Sequence, residues 1–122
     1  LIDYGYIDKK MKNTLKATSG HKFANILKNI GNIDITHNIN FNLFKKFIKK
    51  IGGLKICLTT QKDFLSKMGI KQRAEIISKN QNFSRKVDIY YRVKRLIDEK
   101  QMGKLFKVML IKKNNNRFKL GF

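Results

Sequence analysis

The chain has 122 residues, 42% hydrophobic and 30% charged, which suits one packed domain and excludes a second of ordinary size. Its 28 lysines and arginines against 8 acids give a net charge of +20, and its one cysteine, Cys57, excludes a disulfide-stapled scaffold and a cysteine-rich zinc site. No apolar run approaches the ~18 residues of a membrane-spanning helix, and the opening, with Asp3 and Asp8, lacks the basic segment of a signal peptide.

In chain order, Leu1-Ile2-Asp3-Tyr4-Gly5-Tyr6 reads as the end of a buried strand. Residues Ile7 to Asn38 are mostly polar, carry Gly20 and Gly31, and predict a long excursion with little regular structure. Asn40 then caps a helix from Phe41 to Ile51, whose Phe41, Phe44, Ile48 and Ile51 fall on one face, and Gly52-Gly53 ends it. Leu54–Leu58 alternates as a strand does. Thr60-Gln61-Lys62-Asp63 has the pattern of a capping box, opening a helix that stops at Gly69. A short helix follows over Lys71–Lys79, then a longer one over Ser84–Lys100 with Val87, Tyr90, Val93 and Ile97 on one face. Leu105–Ile111 is the last strand, and Asn114-Asn115-Asn116 turns into a short tail. No repeat or linker divides the chain.

The basic balance admits two readings. Lysine outnumbers arginine 23 to 5, isoleucine and asparagine stand at 16 and 12, proline is absent and alanine occurs three times. An AT-rich genome imposes that skew on any protein, and arginine, the residue that clamps phosphate bidentately, is scarce. The lysines are also scattered, in short pairs such as Lys45-Lys46 and Lys112-Lys113. Compositional drift is therefore the first reading, and a Lys-rich module for RNA or another polyanion the alternative.

No complete catalytic constellation is written in the sequence. The eight glycines never fall as GxGxxG or GxxxxGK. His21 and His37 are 16 apart without a second ligand one helical turn away, so no metal site is expected. Cys57 lies within a predicted strand, the place of a structural thiol. Ser19, Ser66, Ser78 and Ser84 lack the context of a nucleophile elbow.

Several blocks nevertheless follow one another in a recognisable order. They are Ile2-Asp3-Tyr4-Gly5-Tyr6, Thr14-Leu15-Lys16-Ala17 with His21, and Asp34-Ile35-Thr36 leading to Phe41. After them come Thr60-Gln61-Lys62-Asp63-Phe64-Leu65 with Met68-Gly69-Ile70, then Arg73-Ala74, Arg95-Leu96 and Met102-Gly103-Lys104-Leu105-Phe106-Lys107-Val108. The series resembles the C-terminal third of the MidA-like family of S-adenosylmethionine-dependent methyltransferases, which includes the mitochondrial complex I assembly factor that methylates an arginine. It departs from the family pattern at Ile30, where a proline is usual, at Lys16, where glutamine is usual, and at Asn38, where a histidine is usual.

The resemblance implies an α/β fold: the C-terminal part of a Rossmann-like class I methyltransferase sheet, with packed helices. Residues 1–122 are then a single partial domain, and the N-terminal part that binds the cofactor lies outside this sequence. Leu1–Asp3, Leu54–Leu58 and Leu105–Ile111 become the fifth, sixth and seventh strands. The seventh is antiparallel and central of the three, and a three-helix crossover from Gln61 to Lys104 permits that return. In an open α/β sheet ligands gather at the carboxyl ends of the strands. Asp3, Tyr4 and Tyr6 are accordingly the candidate catalytic residues, with Gly5, His21 and Gln61 as candidate substrate-binding residues. Asp3 would hold a guanidinium and the tyrosines would wall the slot; the competing structural reading makes Asp3 a turn cap and the tyrosines loop packing. The implied cofactor is S-adenosylmethionine, and the implied partners are a protein substrate presenting an arginine side chain and the missing N-terminal half. Nucleic acid is the less favoured partner, and none is expected in a membrane. The fragment alone is expected to be inactive, and an inert remnant of a split gene remains an alternative. A bacterial cytoplasmic location is expected, with the mitochondrial matrix as the alternative.

Overall fold

The structure is a computed structural model and describes residues 1–122. Its main sheet has four strands. The first, β1 (Ile2–Tyr6), pairs antiparallel with the last, β7 (Phe106–Lys113), which pairs antiparallel with β6 (Leu54–Thr60). A two-residue strand, β5 (Ile39–Asn40), runs parallel to β1 on its other side, giving the order β5-β1-β7-β6. The final strand is thus antiparallel and lies between the other two, as the sequence predicts. It contains the buried Val108 and Met109.

The segment between β1 and β5 corrects an expectation. Residues 7–38 do contain regular structure, a small antiparallel sheet of β2 (Lys16–Ser19), β3 (Lys22–Ala24) and β4 (Asp34–Thr36) in the order β3-β2-β4. Gly20 and His21, both with positive φ, form the two-residue turn between β2 and β3, a geometry that matches the twist of a hairpin. These strands are three or four residues long and bury only Ala17. With so little buried there is no alternation of apolar and polar residues to read.

Helix α1 (Phe41–Ile51) has the predicted bounds. The Asn40 side chain accepts hydrogen bonds from the backbone N–H groups of Asn42 and Leu43, both at 3.1 Å, and thereby satisfies two otherwise orphaned donors. Phe41 and Ile48 pack with Met109 of β7 into a buried cluster flanked by Ile39, Leu54, Ile56 and Leu58. The rest of the predicted apolar stripe is uncovered, and Ile51 is 74% exposed. Gly5 lies beneath this helix because it has no side chain: a Cβ there would stand 2.3 Å from the Ile39 carbonyl oxygen and 2.6 Å from the Phe41 ring.

Four helices connect β6 to β7. They are α2 (Gln61–Lys67), α3 (Ile70–Ser78), α4 (Phe83–Ile97) and the single turn α5 (Met102–Leu105). Thr60 caps α2 by accepting from the Asp63 N–H at 3.1 Å, while its hydroxyl donates to the Asp63 carboxylate at 2.7 Å. The sequence predicts three helices here, and several bounds move: β6 runs on to Thr60, β7 to Lys113, and α3 and the start of α4 shift by one residue. Helix α4 stops at Ile97 and not at Lys100, because Asp98 is extended and its carboxylate accepts the Lys100 N–H at 2.8 Å. Leu105 closes α5 and does not open the strand, which begins at Phe106. The tail lies against α2, where the Phe122 ring centre is 5.5 Å from that of Phe64, and the buried Lys112 ammonium donates to the Phe118 carbonyl.

Candidate active site

Because β1 and β6 are both antiparallel to β7, they run in the same direction and their carboxyl ends share one end of the sheet. Strand register sets the rows there. Asp3, Lys107 and Thr60 lie side by side, and Tyr4 and Phe106 form the next row, beyond which Gln61 starts α2. Two strand spacings, about 10 Å, separate the β1 and β6 members of a row.

Asp3 shares the α1 face of β1 with Gly5, by the alternation of a strand. Its Oδ1 accepts the backbone N–H of Tyr4 at 2.8 Å, and its Oδ2 takes no hydrogen bond from the chain. The carboxylate is therefore held by one oxygen and leaves the other free, half-buried at the second residue of β1, since the strand expected to end at Asp3 runs on to Tyr6. On the opposite face the Tyr4 ring packs on Phe106, centroids 4.8 Å apart at 55°. Tyr6 follows at the end of the strand, and its hydroxyl accepts the backbone N–H of Lys12 at 2.9 Å. The Lys12 ammonium stands 5.2 Å from the Tyr6 ring centre and 3.0 Å from the Asp8 carboxylate. The hydrogen bond from Lys12, reinforced by the N–H groups of Lys10 and Lys9, lowers the Asp8 pKa from its ordinary value. Tyr6 thus holds the loop that leaves β1.

The other two candidates are placed differently. Gln61 is buried, and its amide nitrogen donates to the Leu96 carbonyl at 2.9 Å, joining the start of α2 to the end of α4. His21 lies at the exposed tip of the β2–β3 hairpin, in the smaller sheet. The structure brings Asp3, Tyr4, Gly5, Tyr6 and Gln61 to one end of the main sheet, and it sets His21 on a separate element.

One residue at this end escapes sequence reading. Lys107 stands directly across from Asp3, and burial lowers its pKa from the ordinary lysine value. Its ammonium donates to the Lys104 carbonyl. The only signal for it is a lysine set between the apolar Phe106 and Val108 near the start of the strand. A second ionic knot fixes the turn beside it. The Glu99 carboxylate pairs with Lys62 at 2.6 Å and with Lys104, and these bonds, Lys104 first, hold its pKa down to about 2. Helix α5 is thereby tied to the start of α2.

Three cavities of about 250 to 530 Å³ all lie along α3 and α4, and none includes Asp3, Tyr4, Gly5 or Tyr6. The end of β1 presents a carboxylate and an aromatic wall but does not itself enclose a nucleoside-sized group. A site built here therefore needs walls from other elements.

A family profile described as an S-adenosyl-L-methionine-dependent methyltransferase matches residues 1–60. Two curated relatives share the sequence, both named protein arginine methyltransferase NDUFAF7, mitochondrial. That of Danio rerio is 29% identical over 108 residues, and that of Xenopus tropicalis is 28% identical over 110. The match takes in 87% and 88% of this chain but 25% of each relative, so the chain spans about a quarter of their length. Two crystal structures of proteins of one superfamily from Burkholderia thailandensis share the fold. The native structure superposes with a TM-score of 0.83 at 23% identity, and the one bound to S-adenosyl-homocysteine with 0.78 at 24%. Each superposition covers 98% of this chain and about a third of the other, 33% and 32%.

Proposed function

We propose that this chain belongs to the MidA-like family of S-adenosylmethionine-dependent methyltransferases and forms the C-terminal part of an enzyme methylating arginine on a protein. The observation that supports this reading most is the sheet end itself. A reversed last strand between β1 and β6 sets Asp3, with one free carboxylate oxygen, on one face of the sheet and the Tyr4–Phe106 pair behind it on the other. The names of the curated relatives supply the acceptor, and the resemblance extends the reading to a protein assembled into respiratory complex I.

The chemistry explains why those groups belong there. The cofactor supplies an electrophilic methyl group on a sulfonium. An arginine acceptor is protonated at neutral pH, and its nitrogen must be held on one line with the entering methyl. In this reading Asp3 Oδ2 accepts an N–H of the guanidinium, while the Tyr4 N–H on Oδ1 keeps the carboxylate from turning. Charge pairing of this kind draws the positive charge toward the carboxylate side and leaves the far nitrogen better able to attack. The Tyr4 ring, packed on Phe106 across the opposite face of the sheet, does not reach a guanidinium on Asp3 and acts as a positioning residue that holds this stretch of β1 against β7. Tyr6 acts through the loop it holds and is a positioning residue. Gln61 likewise positions, by joining α2 to α4.

The cofactor-holding elements belong, on this reading, to the rest of the protein, and the 122-residue chain alone binds no S-adenosylmethionine. Its compartment follows its host: the bacterial cytoplasm, or the mitochondrial matrix that the relatives' names indicate. The deciding experiment incubates the full-length protein with methyl-labelled S-adenosylmethionine and an arginine-bearing protein acceptor, then analyses the acid hydrolysate. Label in methylarginine supports the reading. Label confined to lysine, to a carboxylate or to nucleic acid overturns it. Saturable micromolar binding of the cofactor to the 122-residue chain, by isothermal titration, removes the statement about the fragment.

A further inference from the structure

The largest of the three cavities, about 530 Å³, is a groove between α3 and α4, away from the sheet end just described. Its floor is Ala74, Ile89, Tyr90, Val93 and Ile97, and its rim carries Lys71, Lys86 and Lys94 with Glu75 and Asp98. Neither helix contains a fully buried residue, although α4 runs 15 residues, about 22 Å. Both make their principal contacts with other helices, α3 with α2 and α4, and α4 with α2, α3 and α5. The edges of the sheet are at β5 and β6, and a strand added at either extends the sheet and does not fill a groove whose two helices contact chiefly other helices.

Charge on the hairpin narrows the choice of occupant. Between Ile70 and Ile97 stand eight basic residues and two acidic ones. Four of the chain's five arginines, Arg73, Arg85, Arg92 and Arg95, lie within these two helices, whereas lysine supplies nearly every other cation. None of the four lines the groove, whose own cations are Lys71, Lys86 and Lys94, and Arg92 is paired with Asp88; they add to the positive field around it. None of the rim lysines has an ion pair within the chain, while Asp98 is already engaged by the Lys100 N–H.

A second copy of the chain would bring like charges together across the groove, and such a juxtaposition opposes association. A nucleic acid would satisfy the cations, but of the floor only Tyr90 offers a ring for a base, and Ala74, Ile89, Val93 and Ile97 would go unused. Both features are met at once by a helix with leucine-like residues on one face and carboxylates flanking them. We propose that the α3–α4 groove is a docking site for an acidic amphipathic helix of a partner protein, independent of the methyl-transfer reading.

The probe is a fluorescein-labelled peptide of ~16 residues with leucines at helical i, i+3, i+4 and i+7 spacing and glutamates on the flanks. A control of the same composition has its leucines scattered. Both are titrated against the full-length protein by fluorescence anisotropy. The amphipathic peptide is expected to bind at least ~10-fold more tightly than the control, since only it fills the floor. The double variant Lys86→Glu/Lys94→Glu is expected to weaken it ~10-fold or more and to bind a lysine-for-glutamate version of the peptide better than the parent protein does. That gain of binding distinguishes a charge swap from a misfolded variant. Ala74→Leu, which fills the floor without altering charge, is expected to weaken the acidic peptide and leave circular dichroism unchanged. Equal binding of the scattered control overturns the proposal. So does binding of oligouridylate RNA that is tighter than the peptide and indifferent to Ala74→Leu, which assigns the hairpin to a polyanion. Concentration-dependent dimerisation abolished by Ala74→Leu overturns it in favour of a second copy.

Discussion

Asp3 and Lys107 are directly opposite each other across the β1–β7 ladder, yet they form no ion pair: the lysine turns to the Lys104 carbonyl and the aspartate to the Tyr4 N–H. Both side chains are held at one oxygen or one proton, and each keeps capacity to spare. A cation brought to Asp3 therefore does not have to break an existing bridge.

Replacing Asp3 by Asn separates a role in turnover from a role in folding. Asparagine retains the oxygen that accepts the Tyr4 N–H, so the cap survives and the melting temperature should move little. The charge is lost. If Asp3 holds the guanidinium, turnover by the full-length protein should fall about a hundredfold, ~2.7 kcal/mol at 1.36 kcal/mol per decade, with cofactor affinity nearly unchanged. Turnover and melting temperature are measured side by side. Normal turnover with a lowered melting point removes Asp3 from the site and leaves it a cap.

Helix α1 was legible in the sequence because several local signals agree, whereas the position of β7 followed from the resemblance. Asn40, the 3-4-3 spacing of Phe41, Phe44, Ile48 and Ile51, and the Gly52-Gly53 stop all point to the same bounds. The β2–β3–β4 sheet carried no such agreement, because Ala17 is its one buried residue and its strands are too short to show a period. At the candidate site, the strand end containing Asp3 and Tyr4 could be placed, since a resemblance and a fold rule coincide there. The position of Lys107 across from Asp3 depends on register over a 100-residue separation, and no local pattern encodes that. Nor does the sequence show that Gln61 spends its amide on Leu96.

Acid should loosen the turn that leads into β7. The folded pKa of Glu99 is held down to about 2 by its bonds to Lys104 and Lys62, below its ordinary 4.5. For a depressed carboxylate, the stabilisation is complete above the unfolded value and disappears as pH falls toward the folded one. The Lys62 pKa is raised, chiefly by the hydrogen bond to Glu99, so its share persists through neutral pH and is lost only in strong alkali. The melting temperature should therefore drop between about pH 5 and pH 2 by more in the parent protein than in Glu99→Gln. These groups are exposed, so raised salt should shrink the difference. Identical acid profiles for the two proteins would show that the knot contributes nothing to stability.

Gly103→Ala should be among the most damaging single-methyl additions. Gly103 is buried where α5 meets the end of α4, and its N–H donates to the Asp98 carbonyl at 2.9 Å. A Cβ there would stand 2.4 Å from the Ile97 oxygen, 2.7 Å from the Ile97 carbonyl carbon and 2.8 Å from the Asp98 oxygen. All three are backbone atoms, so relief requires the two elements to separate. The expected loss is ~1–3 kcal/mol, read as a lower urea midpoint. Separation would also draw Lys104 from Glu99, so the variant should lose part of the acid sensitivity described above. An unchanged midpoint would contradict the close approach.

The 122-residue chain by itself should self-associate once its charge is screened. Its accessible surface is 9694 Å², whereas a folded monomer of 14.3 kDa exposes roughly 6,800 Å² by size scaling, leaving about 2,900 Å² in excess. Part of the excess is apolar, with Leu1, Ile2, Ile7 and Met11 all more than half exposed around β1. β5 covers the outer edge of β1 only at Gly5 and Tyr6, so the Ile2–Tyr4 stretch has no strand beside it on that side. Unpaired backbone groups flanked by exposed apolar side chains recruit another strand. At low ionic strength the net charge of +20 holds copies apart. In about 0.5 M salt the screening length shrinks to about 4 Å and repulsion no longer reaches between molecules. Sedimentation velocity should then show mass rising with protein concentration. Ile2→Lys, which puts a charge beside the open edge, should hold the chain monomeric at the same salt. A clean monomer of the unaltered chain at high salt would mean that the β1 edge is not adhesive.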